Sequence, residues 1–492
     1  MSFLIYFATL FLFITIITLF KSSEKNLPPQ PWKLPVIGHL HHLLGALPHH
    51  ALTNLAKKHG PIIHLKLGQV STVVISSPNL AKDIMNTHDL SFAGRSKSIS
   101  AEIISYNYKD IACVSYGEYW RQMRKICVLE LLSAKKVRSF QSIREKESWN
   151  LIESIKGSNN AINLSEKIYM LMNTITSKNA VGSVSMKDQG RLVSNIKQLL
   201  LIAGTLDVEN LFPSIKGLHL ITRTRYKLMK IFKIIDEILD NIISNHQERR
   251  SSGQREDNED LLDVLLRLQH DGGLQFPLTY DHIKAVIMDV FLAGTDTSSS
   301  TIEWAMSELL RNPRVMKKLQ EELRKTLKGK KKIQESDIQE VDYLKQVIKE
   351  TLRLHPSIPL LIPRECRKKC EIGGYNIPVG TNVLINAWKI GRDPDYWIDP
   401  DSFVPERFIE SSDNMMGKNF EYLPFGAGRR MCPGLILGLA NVELPLAMLL
   451  YYFNWDLPNG APFEDLDMSE SFGSAVKRTN HLILVPSHYN IN

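Results

Sequence analysis

The stretch that most constrains this chain of 492 residues is PFGAGRRMCPG, Pro424 to Gly434. It sets one cysteine, Cys432, between a glycine-rich loop and the apolar run LILGLANVELPLAMLLYYF, whose density of large aliphatic residues predicts a buried helix. Gly426 and Gly428 permit the positive φ angles and close backbone approach of a tight loop laid against a flat ligand. At the start of a helix the unpaired N–H groups and the macrodipole favour an anion. The Cys432 thiol is therefore expected to lose its proton readily and to act as a metal ligand or nucleophile.

The spacing F-x-x-G-x-R-x-C-x-G is met by Phe425, Gly428, Arg430, Cys432 and Gly434, and it resembles the haem-binding loop of cytochromes P-450. The resemblance implies haem b (iron protoporphyrin IX) with Cys432 as axial iron ligand, whose electron donation promotes O–O cleavage. A buried free cysteine in a glycine-rich turn is the bland alternative. The implied fold is mainly α with small β-sheets, in one catalytic domain over 39–492. That replaces the roughly three domains that length alone suggests.

Further stretches match the same family. Trp120 and Arg124 in YGEYWRQMRK lie four apart on one helix face. The family's W-x-x-x-R pair binds a haem propionate, and an indole N–H with a guanidinium suits a buried carboxylate. Arg430, and Arg364 in LIPRE, match its other propionate arginines. Thr279 is positioned to cap a helix that opens with Asp281 and runs to about Arg311. Its middle, AGTDTSSST, interrupts the apolar pattern. A Thr297 hydroxyl bonded to the Ala293 carbonyl would bend the helix beside Gly294. The run is similar to the A-G-x-D-T motif over the distal face of haem, which implies two catalytic residues: Thr297 holding bound oxygen and Asp296 relaying protons from solvent. Glu350 and Arg353 in KETLRLHP share a helix face, and the resemblance joins them to Arg407 of PERF in a buried structural triad.

Toward the N-terminus, Phe3 to Phe20 carry no charge, and Lys21, Lys25 and Lys33 come directly after. Residues 1–21 are long enough to cross a bilayer, and the trailing lysines place the rest of the chain in the cytosol. The start lacks the basic residues of a cleaved signal. A single-pass anchor in the endoplasmic reticulum membrane is expected, then a basic, proline-rich hinge over 22–38 with Pro28, Pro29, Pro31 and Pro35. Histidines 39, 41, 42, 49, 50 and 59 lack ligand spacing and are expected to be solvated. IIHLKLGQVSTVVIS reads as two strands about a Gly-Gln turn, and 371–386 and HLILVP also read as strands. The five cysteines, at 113, 127, 366, 370 and 432, show no disulfide framework, which fits a reducing compartment.

A net charge of +8 fits an acidic protein partner or an anionic membrane, and no nucleic-acid-binding signature accompanies it. Arg121, Lys125, Lys135, Lys136 and Arg138 cluster where the family docks NADPH-cytochrome P-450 reductase, the acidic flavoprotein that delivers electrons from NADPH. SIPLLI (357–362) and VIMDVFLA (286–293) fall in the family's substrate-contacting segments and favour an apolar ligand. The expected reaction inserts one oxygen atom of O2 into an apolar small molecule. Within the plant microsomal branch, the chain resembles oxidases of sesquiterpenes and their lactones. Oxidation of a diterpenoid, alkaloid or phenolic is the alternative. An O2-independent isomerase or rearrangement enzyme is disfavoured, because such members often depart from the distal motif kept here.

Overall fold

Val- and Ile-rich runs either side of Gly68-Gln69 form strands β1 (Ile62–Leu67) and β2 (Val70–Ile75), paired antiparallel as their alternation and turn require. In the computed structural model, which describes residues 26–490 apart from 159, 204–207, 216, 253–258, 410–416 and 474, this hairpin founds a four-stranded sheet. β2 runs parallel to β4 (Asn382–Ile385), and β4 is antiparallel to the short β3 (Arg364–Glu365), giving the order β1-β2-β4-β3. The expected anchor over 1–21 lies outside the described residues. From Asn26 onward the hinge is laid against the sheet: the His64 N–H donates to the Pro29 carbonyl at 2.9 Å, and Gly38 bridges to Leu67.

The rest is mainly helical, and six helices position the site. They are α1 (Glu118–Ile126), α2 (Leu164–Val181), α3 (Tyr280–Gly294), α4 (Asp296–Arg311), α5 (Asp342–Leu354) and α6 (Leu435–Tyr452). The largest hydrophobic cluster joins α2, α4, α5 and α6. Among the described residues α6 alone is long and apolar enough to cross a membrane, but it is a core helix, with Leu444 and Leu446 to Leu450 fully buried. Thr279 and His282 form a capping box at the start of α3.

Behind the cysteine loop, Glu350 bonds Arg353 at 2.7 and 2.8 Å and Arg407 at 2.9 Å. Arg353 also donates to the carbonyls of Gly391 and Pro400. Glu350 and Arg353 are completely enclosed, as a structural triad requires. Two of the histidines expected in solvent are core residues instead. His39 is buried against the Pro31 carbonyl and His49 against Glu470. The local pattern could not show this, because their partners come from other segments.

Candidate active site

Gly426 and Gly428 do adopt positive φ, at 67° and 68°. A Cβ on Gly428 would lie 2.1 Å from the Met85 carbonyl, so the loop is pressed where no side chain fits. Asp89 staples it there, accepting the Arg429 N–H and the Arg364 guanidinium at 2.8 Å each. The Cys432 N–H closes the loop on the Phe425 carbonyl at 3.0 Å. The Cys432 sulfur accepts the Gly434 N–H just before α6 begins. Its protonation corrects the expectation from sequence. Burial pushes the thiol up, and the Gly434 N–H and the nearby Arg124 charge do not overcome it. The helix start orients the sulfur, but a bound cation is needed to hold it as thiolate.

Cys432 and Thr297 line one cavity of about 290 Å³, walled largely by apolar side chains such as Val286, Val290, Ala293, Ile358 and Leu361. Regular α-helical structure lapses at Thr295, between α3 and α4. The Thr297 hydroxyl donates to the Ala293 carbonyl at 2.6 Å, which is the bend read from the sequence. Asp296 does not line the cavity. Its buried carboxylate pairs with Lys477 at 2.8 Å, and Lys477 is about one-third exposed, so the pair links the helix break to the surface.

Four arginines, Arg95, Arg124, Arg364 and Arg430, also line the cavity. Arg364 has Asp89 as ion partner. Among the described residues the other three meet no carboxylate at ion-pair distance and rest on backbone carbonyls. Arg430 donates to Ala93 and Val114, Arg124 to Met431, and Arg95 to Ala112, Ile362 and Pro363. Burial lowers all four from their ordinary value, and mutual repulsion adds to it for Arg95 and Arg430, the latter falling to about 10. Such a ring is short of anions. A flat group bearing two carboxylates on one edge and a metal within reach of Cys432 fits both needs, and haem has that chemistry. Trp120 takes a supporting place. Its indole N–H donates to the Ile111 carbonyl at 3.1 Å while its ring lies under Arg430, 4.6 Å away. Arg95 escaped the sequence reading, because its role arises only where the carbonyls of 112, 362 and 363 converge on it.

The structure thus brings Arg124, Arg364, Phe425, Arg430, Cys432 and Thr297 to one chamber and leaves Trp120 and Asp296 just behind its wall. A cysteine sulfur and a threonine hydroxyl sharing one apolar chamber, with an anion-hungry rim, suit a haem-thiolate oxygenase. Comparison with known proteins fixes the family. A model of cytochrome P-450 matches residues 28–484. The germacrene A hydroxylase of Barnadesia spinosa is 55% identical over 95% of this chain and 93% of its own. The amorpha-4,11-diene 12-monooxygenase of Artemisia annua is 54% identical over 98% and 96%. At 54%, over 97% and 94%, stands the desmethyl-deoxy-podophyllotoxin synthase of Sinopodophyllum hexandrum. A zebra fish cytochrome P-450 structure with progesterone superposes at a TM-score of 0.79 with 26% identity, covering 90% of this chain and all of that one. The chain belongs to the cytochrome P-450 family.

Proposed function

We propose that this P-450 monooxygenase hydroxylates a sesquiterpene or sesquiterpene lactone, drawing electrons from NADPH through a membrane-bound reductase. The apolar chamber shared by Cys432 and Thr297 carries this reading, because it suits a ligand with few polar handles. The names of the relatives in Barnadesia and Artemisia favour a sesquiterpene within that class. Haem, once bound, supplies iron chemistry that activates O2. Cys432 would hold its iron, and Arg95, Arg124, Arg364 and Arg430 would neutralise its carboxylates. Thr297 keeps a hydroxyl proton at the chamber wall, parked on the Ala293 carbonyl. Asp296, next in the chain to Thr297 and paired with the one-third-exposed Lys477, would relay protons from solvent toward that hydroxyl. The aliphatic wall orients the terpenoid and excludes water.

Arg121, Lys125, Lys135 and Arg138 are exposed, as a docking face for an acidic reductase requires, whereas Lys136 is tied to the Glu259 carbonyl. The uncharged run before Lys21 completes the proposal as a single anchor in the endoplasmic reticulum membrane, with the catalytic body in the cytosol. The test is an assay of microsomes carrying the protein and a reductase, supplied with NADPH, O2 and a terpenoid panel that includes a lignan. A product heavier by one oxygen that vanishes without NADPH is expected. Product that persists without NADPH, or from the lignan alone, overturns the proposal.

A further inference from the structure

Three imidazoles and two carboxylates from distant segments meet at the helix Pro48–His59, and none of them lines the haem chamber. Successive residues of a helix do not ordinarily face one point. His49 and His50 nevertheless both turn to Glu470. Their Nε2 atoms stand 2.8 and 3.2 Å from its Oε2, and their rings lie 4.3 Å apart. The three ligand atoms fall within 4.8 Å of one another. On a tetrahedral zinc ion, ligands at about 2.0–2.1 Å are about 3.3 Å apart, so these separations straddle what one ion requires.

His355 supplies the second observation. Its ring is more than nine-tenths buried and stacks on Trp304 at 4.0 Å, with Nε2 at 2.7 Å from Glu308. A carboxylate only accepts, so Nε2 carries the hydrogen and Nδ1 of the neutral ring is a bare lone pair. That Nδ1 has no hydrogen-bond partner among the described residues and stands 3.6 Å from Glu470 Oε1, acceptor against acceptor. The nearby Arg392 charge is taken up by Asp401 at 3.2 Å and by the Trp388 face. Two carboxylates among three neutral imidazoles leave the cluster short of positive charge.

We propose that His49, His50 and Glu470 bind one Zn2+, with a water as fourth ligand that donates to His355 Nδ1. Two imidazoles and a carboxylate suit zinc. Binding displaces the protons that the imidazoles otherwise share with Glu470. The His50 side chain, 39% exposed, opens the site to solvent. The ion clamps the helix Pro48–His59 to the strand that starts at Glu470. From there the chain leads to Val476, whose N–H donates to the Ser357 carbonyl at 2.9 Å, and Ser357 lines the chamber.

The test takes full-length, haem-loaded protein without an affinity tag, strips it with a chelator and dialyses it against Zn2+ alone. Zinc and iron are then counted by elemental analysis. Wild type is expected to hold one zinc per iron, and His50→Ala to weaken zinc binding at least about tenfold with iron unchanged. Saturating zinc should raise the urea midpoint of wild type and not of His50→Ala. His42→Ala, which breaks the adjacent His41–His42 pair with rings 3.9 Å apart, should change neither result. Zinc-edge X-ray absorption of wild type should show two imidazoles at about 2.0–2.1 Å, and it decides the matter where the His50 variant is unstable. Absence of zinc at one equivalent overturns the proposal and leaves His355 an imidazolium between Glu308 and Glu470. Binding that survives His50→Ala, or that is lost in His42→Ala, overturns it too.

Discussion

At Cys432 two influences oppose each other. The Gly434 N–H and Arg124 favour a thiolate, and burial favours the thiol and prevails. A metal cation bound to the sulfur would reverse that balance. Cys432→Ser should therefore abolish the thiolate-type absorption of the reduced, carbon monoxide-bound enzyme, and oxygenated product should fall below detection. Spectra and mass spectrometry of the purified variant check both, and an unchanged absorption band would refute the assignment. At this scale Cys432, Arg430 and Thr297 were legible, because a short spacing carried each of them. Arg95 was not, since a lone arginine in FAGRS has no local signature.

The cysteine loop shows how an element fixes the site. Gly428 carries positive φ, and its absent Cβ leaves room for the Met85 carbonyl. Gly428→Ala adds left-handed strain and a collision with backbone that cannot move aside, at a cost of at least about 2 kcal/mol. The expected outcome is a lower urea midpoint and fewer haems per polypeptide, read by denaturation and pigment quantitation. Wild-type haem content would show the loop to be less constrained than its geometry. The helix bearing Thr297 is the second such element. Its run of hydroxyl residues foretold the lapse at Thr295, since each hydroxyl competes for a carbonyl four residues back. The side to which Asp296 turns was not legible. That depends on Lys477, which arrives on the strand pair Glu470–Ser471 and Lys477–Arg478 near the other end of the chain.

Across the whole molecule, Glu470 ties distant segments together. It accepts His49 at 2.8 Å and His50 at 3.2 Å from the helix Pro48–His59, and His355, next to α5, stands 3.6 Å away. His355 also bonds Glu308 of α4 and stacks on Trp304 at 4.0 Å. Burial opposes the Glu470 charge, but the facing imidazoles of His355, His49 and His50 hold the carboxyl far below its ordinary 4.5. A carboxyl depressed by folding stabilises the fold above its unfolded value and loses that contribution as pH falls through the folded one. Glu470→Gln should thus cost about 2–4 kcal/mol at pH 7, with the gap to wild type narrowing as pH drops below 4.5. Urea unfolding of both proteins at pH 4.5 and pH 3 measures the narrowing, and a gap that widens between those two would contradict the arrangement. By itself the sequence determined a hydroxyl-bearing bend and a Glu350–Arg353 pair, from residue types at fixed short spacing where helix geometry leaves little choice. Its resemblance to cytochromes P-450 implied the rest: Cys432 as ligand, Arg407 as third member of the lock, and a mainly helical fold with small sheets. Only the tertiary structure decided the burial of the Cys432 thiol, the place of Arg95 and the burial of His39 and His49. Each of these depends on the desolvation and charge that far-apart segments impose on one another, and no local pattern encodes that.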